Sequence, residues 1–475
     1  MRSDIFTAFR GTLILLFALF LAACAGLPEA EPPESWSGIA EYEQDRDSRA
    51  PRPEAIGEEL SLDRAIDLAL AANPRLRAQQ SEADAARADW HEARGKRWPH
   101  LSAEAAATRH MDDQRLVPAR APGEAGAWNE NLVGADVVLE LPLFRGGRLI
   151  HQASAARLGA DASAHRLGRT REETVFNVTS TFYAIVKQRR VLTSLRASRT
   201  TVQRQQEQIQ ALIAVEKGVR VDLLRVRVRL ADIKQQIIAE ENRLNALHRL
   251  LATQLGLQTQ ETRLPVAGNL TEREVTPSQE IPWQEVFAHR ADYQALHKEA
   301  SAARQTLAAA KGEYWPQLNV RGAYGGRWTA GTTVAQPGAS EAEDVGSIGL
   351  HLDMPLFAGG EIRARVRGAR AEHAAMQERL RELRLQIRRE VLDARDALQA
   401  DKQRVTTTRT AIAEAEEALD IEQTKYELGK GTIVDVLDAQ DALLRAKTNH
   451  ARALAALKTD AARLELAQGT ILNTE

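Results

Sequence analysis

The stretch "LELPLFRGG" (residues 139–147) returns as "LDMPLFAGG" (residues 352–360). Each copy closes an alternating apolar run and opens onto a long, charged, helix-forming pattern. Pro142 and Pro355 mark strand ends, because proline donates nothing to a ladder and keeps the residue before it extended. Phe144 and Phe357 follow. Gly146-Gly147 and Gly359-Gly360 then let the backbone bend sharply and pack closely as strand becomes helix. Trp98-Pro99 and Trp315-Pro316 make the reverse switch on the way in. An ordinary sheet-to-helix turn would explain one such motif, but two copies with Trp-Pro partners argue for a duplicated structure.

Other landmarks repeat with it. "KRWPHLSAEA" (96–105) matches "EYWPQLNVRG" (313–322), and "KGVRVDLL" (217–224) matches "KGTIVDVL" (430–437). The Pro-Leu-Phe and Lys-Gly landmarks share one offset, 213 residues, so neither copy has a net insertion between them. Self-similarity at a fixed spacing is the mark of a repeat architecture. Each half reads as short helices, strand, loop, strand, long helix, turn and returning helix.

The strands show a period of two. Ile348, Leu350, Leu352 and Met354 alternate with Gly349, His351 and Asp353, while Leu318, Val320, Tyr324 and Trp328 alternate with Asn319, Arg321 and Gly325. Val137, Leu139 and Leu141 alternate with Asp136 and Glu140. The fourth strand, in "LSAEAAATRH", is written in small residues. Predicted spans are 98–110, 131–144, 315–328 and 344–357, near the ten residues that cross a bilayer at a tilt. At that length Phe144 and Phe357 fall at the level of an interfacial aromatic girdle.

Long helices are predicted over 147–215 and 360–428, returning over 220–256 and 433–467. Seventy residues rise about 100 Å, far beyond a globular domain. In the second copy a seam runs Ile362, Val366, Ala369, His373, Met376, Leu380, Leu383, Ile387, then slips to Val391 and continues through Ala394, Leu398, Asp401 and Val405 to Leu419. Such a 3/4 alternation with one stutter is coiled-coil packing. Dilution by Ala, Thr and Asp suits neighbours on two sides around a wet interior. Residues 59–262 form repeat one, 263–282 a linker, 283–470 repeat two and 471–475 a tail.

The chain's 475 residues are nearly charge-balanced, with Lys+Arg 63 against Asp+Glu 65, so no bulk field points to nucleic acid. Residues 1–23 read as a signal peptide ending in Leu21-Ala22-Ala23, before Cys24, the only cysteine. This resembles a bacterial lipobox, with Cys24 as the acylated residue and Ala25 after it pointing to the outer membrane. Residues 24–58, rich in Pro, Glu and Ser, read as an extended tether from lipid to fold. No later apolar run reaches membrane-helix length, so any bilayer crossing falls to strands. Four strands cannot close a barrel, since an open edge in lipid leaves backbone groups unpaired; two chains would supply eight strands, three would supply twelve.

The duplicated plan, the paired "PLF-x-GG" motifs and "KYELGKGTIVDVLDAQDALLRAK" (425–447) resemble the TolC family of outer-membrane efflux proteins over residues 59–470, and Cys24 resembles its lipidated, OprM-like members. The resemblance implies a mainly α fold with a four-stranded membrane β contribution per chain. It also implies a homotrimer with a 12-stranded β-barrel continuous with a long α-helical barrel. The implied role is a passive exit duct, not an enzyme, docked through a periplasmic adaptor to an inner-membrane pump. It implies further that Tyr426 and Asp222 hold the tunnel entrance closed and that Asp435 and Asp438 form carboxylate rings. The i,i+3 spacing of Asp435 and Asp438 puts both on one helix face, and such rings hold cations. Asp435 equally suits the first turn of its helix, as a negative charge at the N-terminus. Two departures stand out. Gly431 occupies a commonly basic position, and Glu216 stands where the second tip has Gly429.

Other chemistry is thin. His91-Glu92 begins like a zinc motif, but Gly95 stands where the second ligand belongs, so no metal or cofactor is expected. "NVT" (177–179) and "NLT" (269–271) are sequons by spelling only. The competing reading is a periplasmic coiled-coil adaptor or adhesin without a pore, which explains the helices but not four membrane-length strands.

Overall fold

The computed structural model describes residues 59–257, 264–270, 280–331 and 333–472. Cys24, the expected signal peptide and the expected tether lie outside the described residues. Repeat one comprises α1 (Leu62–Ala72), α2 (Pro74–Gly95), β1 (His100–Arg115), β2 (Ala127–Arg145), α3 (Arg148–Ala214) and α4 (Arg220–Gln254). Repeat two comprises α5 (Trp283–His289), α6 (Ala291–Gly312), β3 (Gln317–Thr329), the two-residue β4 (Val334–Ala335), β5 (Ala342–Asp353), α7 (Glu361–Glu427) and α8 (Ile433–Gln468).

Local chemistry sets the element ends. Ser61 caps α1 through the Arg64 amide. Asn73 closes α1 and caps α2 by accepting from the amides of Arg75 and Leu76, with Pro74 at the first helical position, where its missing N–H costs nothing. The Asn73 side chain also donates to the Gln254 carbonyl at 2.8 Å, tying the start of α2 to the end of α4. At the matching place in repeat two, the Arg290 guanidinium donates to the Ala467 carbonyl at 3.0 Å and to Asp292 and Glu390. Arg290 is 1% exposed. The two short-helix breaks are therefore clamped to the returning helices in the same way, once by an amide and once by an ion cluster.

The strands form one antiparallel sheet in the order β1-β2-β3-β5, with β4 pairing β2. His100 lies opposite Glu140 in the first hairpin and Gln317 opposite Asp353 in the second. One face carries Val137, Leu139, Leu141, Val320, Tyr324, Trp328, Ile348, Leu350 and Leu352. The other carries Glu104, Asp136, Glu140, Arg321 and Arg327, where Arg327 binds Asp136 bidentately at 2.7 and 2.8 Å. Arg321 lies 3.6 Å from Glu104 and 3.7 Å from Glu140.

The helical core centres on α3. It packs against α2, α4, α6 and α8, and buries 21 residues, Phe182, Ile185 and Leu192 among them. The linker is held to the core by Leu60, which bridges to Val266 in parallel and is fully buried. α7 is as long as α3 at 67 residues but buries only seven, and all seven lie on the coiled-coil seam, from Val366 to Val405. Among the described residues no helix is long and apolar enough to cross a membrane.

Candidate functional site

Two places concentrate the sequence-predicted residues: the strand-to-helix seam and the far helical tip. At the seam, Gly146 (φ 59°) and Gly147 (φ 76°) are both left-handed, as are Gly359 and Gly360. A Cβ on Gly146 would sit 2.0 Å from the Gly312 carbonyl oxygen and 2.8 Å from the Trp315 Cβ. The exit of repeat one thus lies backbone to backbone against the end of α6. Trp98 and Trp315 are exposed in the turns that lead into β1 and β3.

The two prolines differ. The ladder does not stop at Pro142, as the sequence led us to expect: it shifts register between Pro142 and Phe144, then continues to Arg145 opposite Gln317. In the second copy β5 ends at Asp353, so Pro355 and Phe357 lie beyond the strand rather than inside it, and Phe357 is 90% exposed against 46% for Phe144. The reason is the neighbour. β2 has β3 beside it, whereas β5 is an edge and among the described residues pairs with β3 alone.

At the tip, Thr432 caps α8 with a capping box: its hydroxyl accepts from the Asp435 amide at 3.3 Å while Asp435 accepts from the Thr432 amide at 3.0 Å. The Thr432 hydroxyl, which donates to the Asp435 carboxylate at 2.6 Å, and the Thr432 amide hold that carboxyl below its ordinary range. Asp438 is exposed one turn on. Tyr426 is half-buried, and burial together with the nearby Asp222 charge pushes its hydroxyl pKa up. The structure therefore brings Tyr426 and Asp222 together, across the repeats. A Cβ on Gly431 would press within 3.1 Å of the Lys425 Cβ and the Tyr426 amide nitrogen. At the first tip Glu216 holds φ 60° without being glycine, and Val219 gives α4 no side-chain cap.

Sequence reasoning missed the ion pair beside this site. Arg229 on α4 binds Asp441 on α8, and Arg445 also reaches Asp441 at 3.1 Å. The pair spans a groove of about 600 Å3 lined by Val221, Leu224, Val228, Val434 and Leu437. Only the positions of α4 and α8 relative to each other could have revealed it. Also missed was Asp401, a seam residue 2% exposed, whose carboxyl is pushed up to about 6 by burial and by Asp460 across from it on α8. Among the described residues no group of three or more His, Cys, Asp or Glu could hold a metal.

A long antiparallel hairpin leading into a 67-residue helix and a returning helix, twice in one chain, defines the TolC-like channel fold. The Outer membrane efflux protein family model matches residues 65–256 and 283–470, and the chain belongs to that family. It is similar to outer membrane protein OprJ of Pseudomonas aeruginosa, at 26% identity over 90% of this chain and 89% of that protein. Outer membrane protein TolC of Vibrio cholerae is 20% identical over 79% of this chain and 83% of its own. Among solved structures, CusC superposes with a TM-score of 0.75 at 16% identity, covering 86% of this chain and 92% of its own. VceC of Vibrio cholerae superposes with a TM-score of 0.72 at 19% identity, covering 86% and 96%. The chain is thus an outer-membrane efflux protein, mainly helical with an antiparallel sheet.

Proposed function

We propose that three copies assemble into a twelve-stranded barrel continuous with a helical tunnel. The assembly is the passive exit duct of a tripartite efflux or secretion system. It docks through a periplasmic adaptor to an inner-membrane pump and is anchored to outer-membrane lipid by acylated Cys24. One observation carries this reading: the sheet has one apolar and one charged face, yet among the described residues both its edges, β1 and β5, are open. In lipid, unpaired edge groups cost several kcal/mol each, and only closure removes them. A pore-free adaptor or adhesin would leave such a sheet without a purpose.

Tyr426 and Asp222 form the closing contact at the tip, and Asp438, with Asp435, rings the tunnel mouth with carboxylates. Purified oligomer in planar bilayers tests both proposals. A cation-selective pore blocked by divalent ions is expected. Asp435→Asn with Asp438→Asn should abolish that block, and unchanged selectivity would remove the ring role. A monomer in detergent that forms no pore would overturn the duct.

A further inference from the structure

The two ends of the sheet carry opposite unpaired charge. At the loop end the arginines are engaged: Arg109 with Glu130, Arg120 with Glu343, Arg327 with Asp136, and Arg115 with the carbonyls of Glu124 and Ala125. Asp112, Asp113 and Glu341 make no ion pair there among the described residues. At the helix end the balance inverts. Glu92, Glu313 and Glu361 are taken by Lys96, Arg148 and Arg365, which leaves Asp353 as the unpaired carboxylate. Arg94, Arg97, Lys311, Arg363 and Arg367 are exposed and have no carboxylate partner among the described residues.

These free cations keep company with exposed aromatic rings. Arg94 stands four residues before Trp98, and Lys311 four before Trp315, so each repeat ends its short helix with a cation about one turn from an indole. Trp98 is 63% exposed and Trp315 61%, and Phe357 is bare beside them in the chain. On α7, helical spacing puts Arg363 and Arg367 one turn apart and opposite Arg365, which faces α6 through Glu313. Arg363 occupies the place that Ile150 holds on α3 at the 213-residue offset, and Ile150 is exposed as well. An aqueous surface gives exposed indoles and an exposed isoleucine nothing to insert into. A headgroup layer matches both parts, because tryptophan rests at the membrane interface while Lys and Arg extend from an apolar stem to the phosphates.

Resting on the barrel placement proposed above, we propose that this belt binds the headgroups of anionic glycerophospholipids in the leaflet at the helix end of the sheet. Trp98 and Trp315 lie at the glycerol level, and Arg94, Arg97, Lys311, Arg363 and Arg367 meet the phosphates. Cationic clusters beside a bilayer attract anionic lipid, each charge being worth about fivefold in binding. The loop end, with its arginines engaged and carboxylates spare, offers such lipid no site.

The test uses the full chain, purified in mild detergent and incubated with equal amounts of phosphatidylglycerol and phosphatidylethanolamine. Native mass spectrometry then counts the lipids retained. Phosphatidylglycerol is expected in at least about threefold excess, falling when the incubation is moved from 0.1 to 0.5 M salt, as roughly 10 Å screening gives way to shorter range. Arg94→Gln with Arg97→Gln and Lys311→Gln should bring the two lipids near parity, Arg94→Lys should keep the excess, and Arg109→Gln at the loop end should leave it unchanged. Glycerol phosphate, the headgroup without chains, should displace the lipid far less well than short-chain phosphatidylglycerol does. No preference in the wild type, an excess that survives the triple variant, or equal displacement by glycerol phosphate each overturns the belt. So does a triple variant whose pore changes its ion selectivity in planar bilayers, because those side chains then line the lumen. The duct reading fails separately, on a monomer that forms no pore, and a salt-sensitive excess of phosphatidylglycerol on that monomer would still support the belt.

Discussion

Arg229 of α4 and Asp441 of α8 form an ion pair that joins the two repeats at the tip, where Gly431 supplies no side chain. Tyr426 and Asp222 lie at the same end of the bundle, near enough for the Asp222 charge to act on the tyrosine hydroxyl. Arg229→Ala leaves Asp441 partly buried with Arg445 alone, a loss of about 1–3 kcal/mol. In planar bilayers the variant's closed-state conductance is expected to rise at least about fivefold, and Arg229→Lys should restore part of the closure. An unchanged conductance would show that the pair only braces the helices.

Gly146→Ala and Gly359→Ala separate packing within a chain from packing between chains. Both positions have positive φ, which costs a non-glycine residue about 1 kcal/mol. Only at Gly146 does the added carbon collide with backbone in the same chain. Gly146→Ala should sharply lower the amount of folded protein recovered from membranes. Gly359→Ala should leave the folded monomer intact and lower the thermal midpoint of the oligomer.

The clamps at the short-helix breaks predict unequal damage. Arg290→Ala removes the cation from Asp292 and Glu390 and breaks its bond to Ala467, at a cost of about 3 kcal/mol or more. Asn73→Ala removes a helix cap and one neutral bond, at about 1–2 kcal/mol. Thermal unfolding followed by circular dichroism should rank Arg290→Ala well below Asn73→Ala.

Asp401 predicts a pH dependence with a definite sign. Its carboxyl rises from 3.8 to about 6 on folding, first through burial and then through Asp460. The native state therefore holds the proton more tightly than the unfolded chain, so stability from this group is full below pH 4 and falls as pH rises through 6. Asp401→Asn should raise the thermal midpoint by a few degrees at pH 7.5 and leave it unchanged at pH 4. A pH-independent difference would show that the carboxylate is not strained by its surroundings.

Much of the architecture was legible because it is written in local terms. A period of two in Ile348, Leu350 and Leu352 and a proline-free 3/4 seam from Ile362 to Leu419 state strand and helix through backbone geometry alone. Paired Gly-Gly motifs mark the seam because only glycine holds the left-handed turns found at Gly146, Gly147, Gly359 and Gly360. The fold at this level followed from the sequence by itself: a duplicated unit, mainly helical, with an amphipathic antiparallel sheet. What only the tertiary structure decided depends on which surfaces meet. Two 67-residue helices with matching caps differ threefold in buried residues because α3 packs on helices of both repeats and α7 on helices of its own repeat. Pro142 lies within a ladder and Pro355 beyond one for the same reason. Arg229 finds Asp441, and Asp401 finds Asp460, through helix placement across more than fifty residues of chain, which no periodicity encodes.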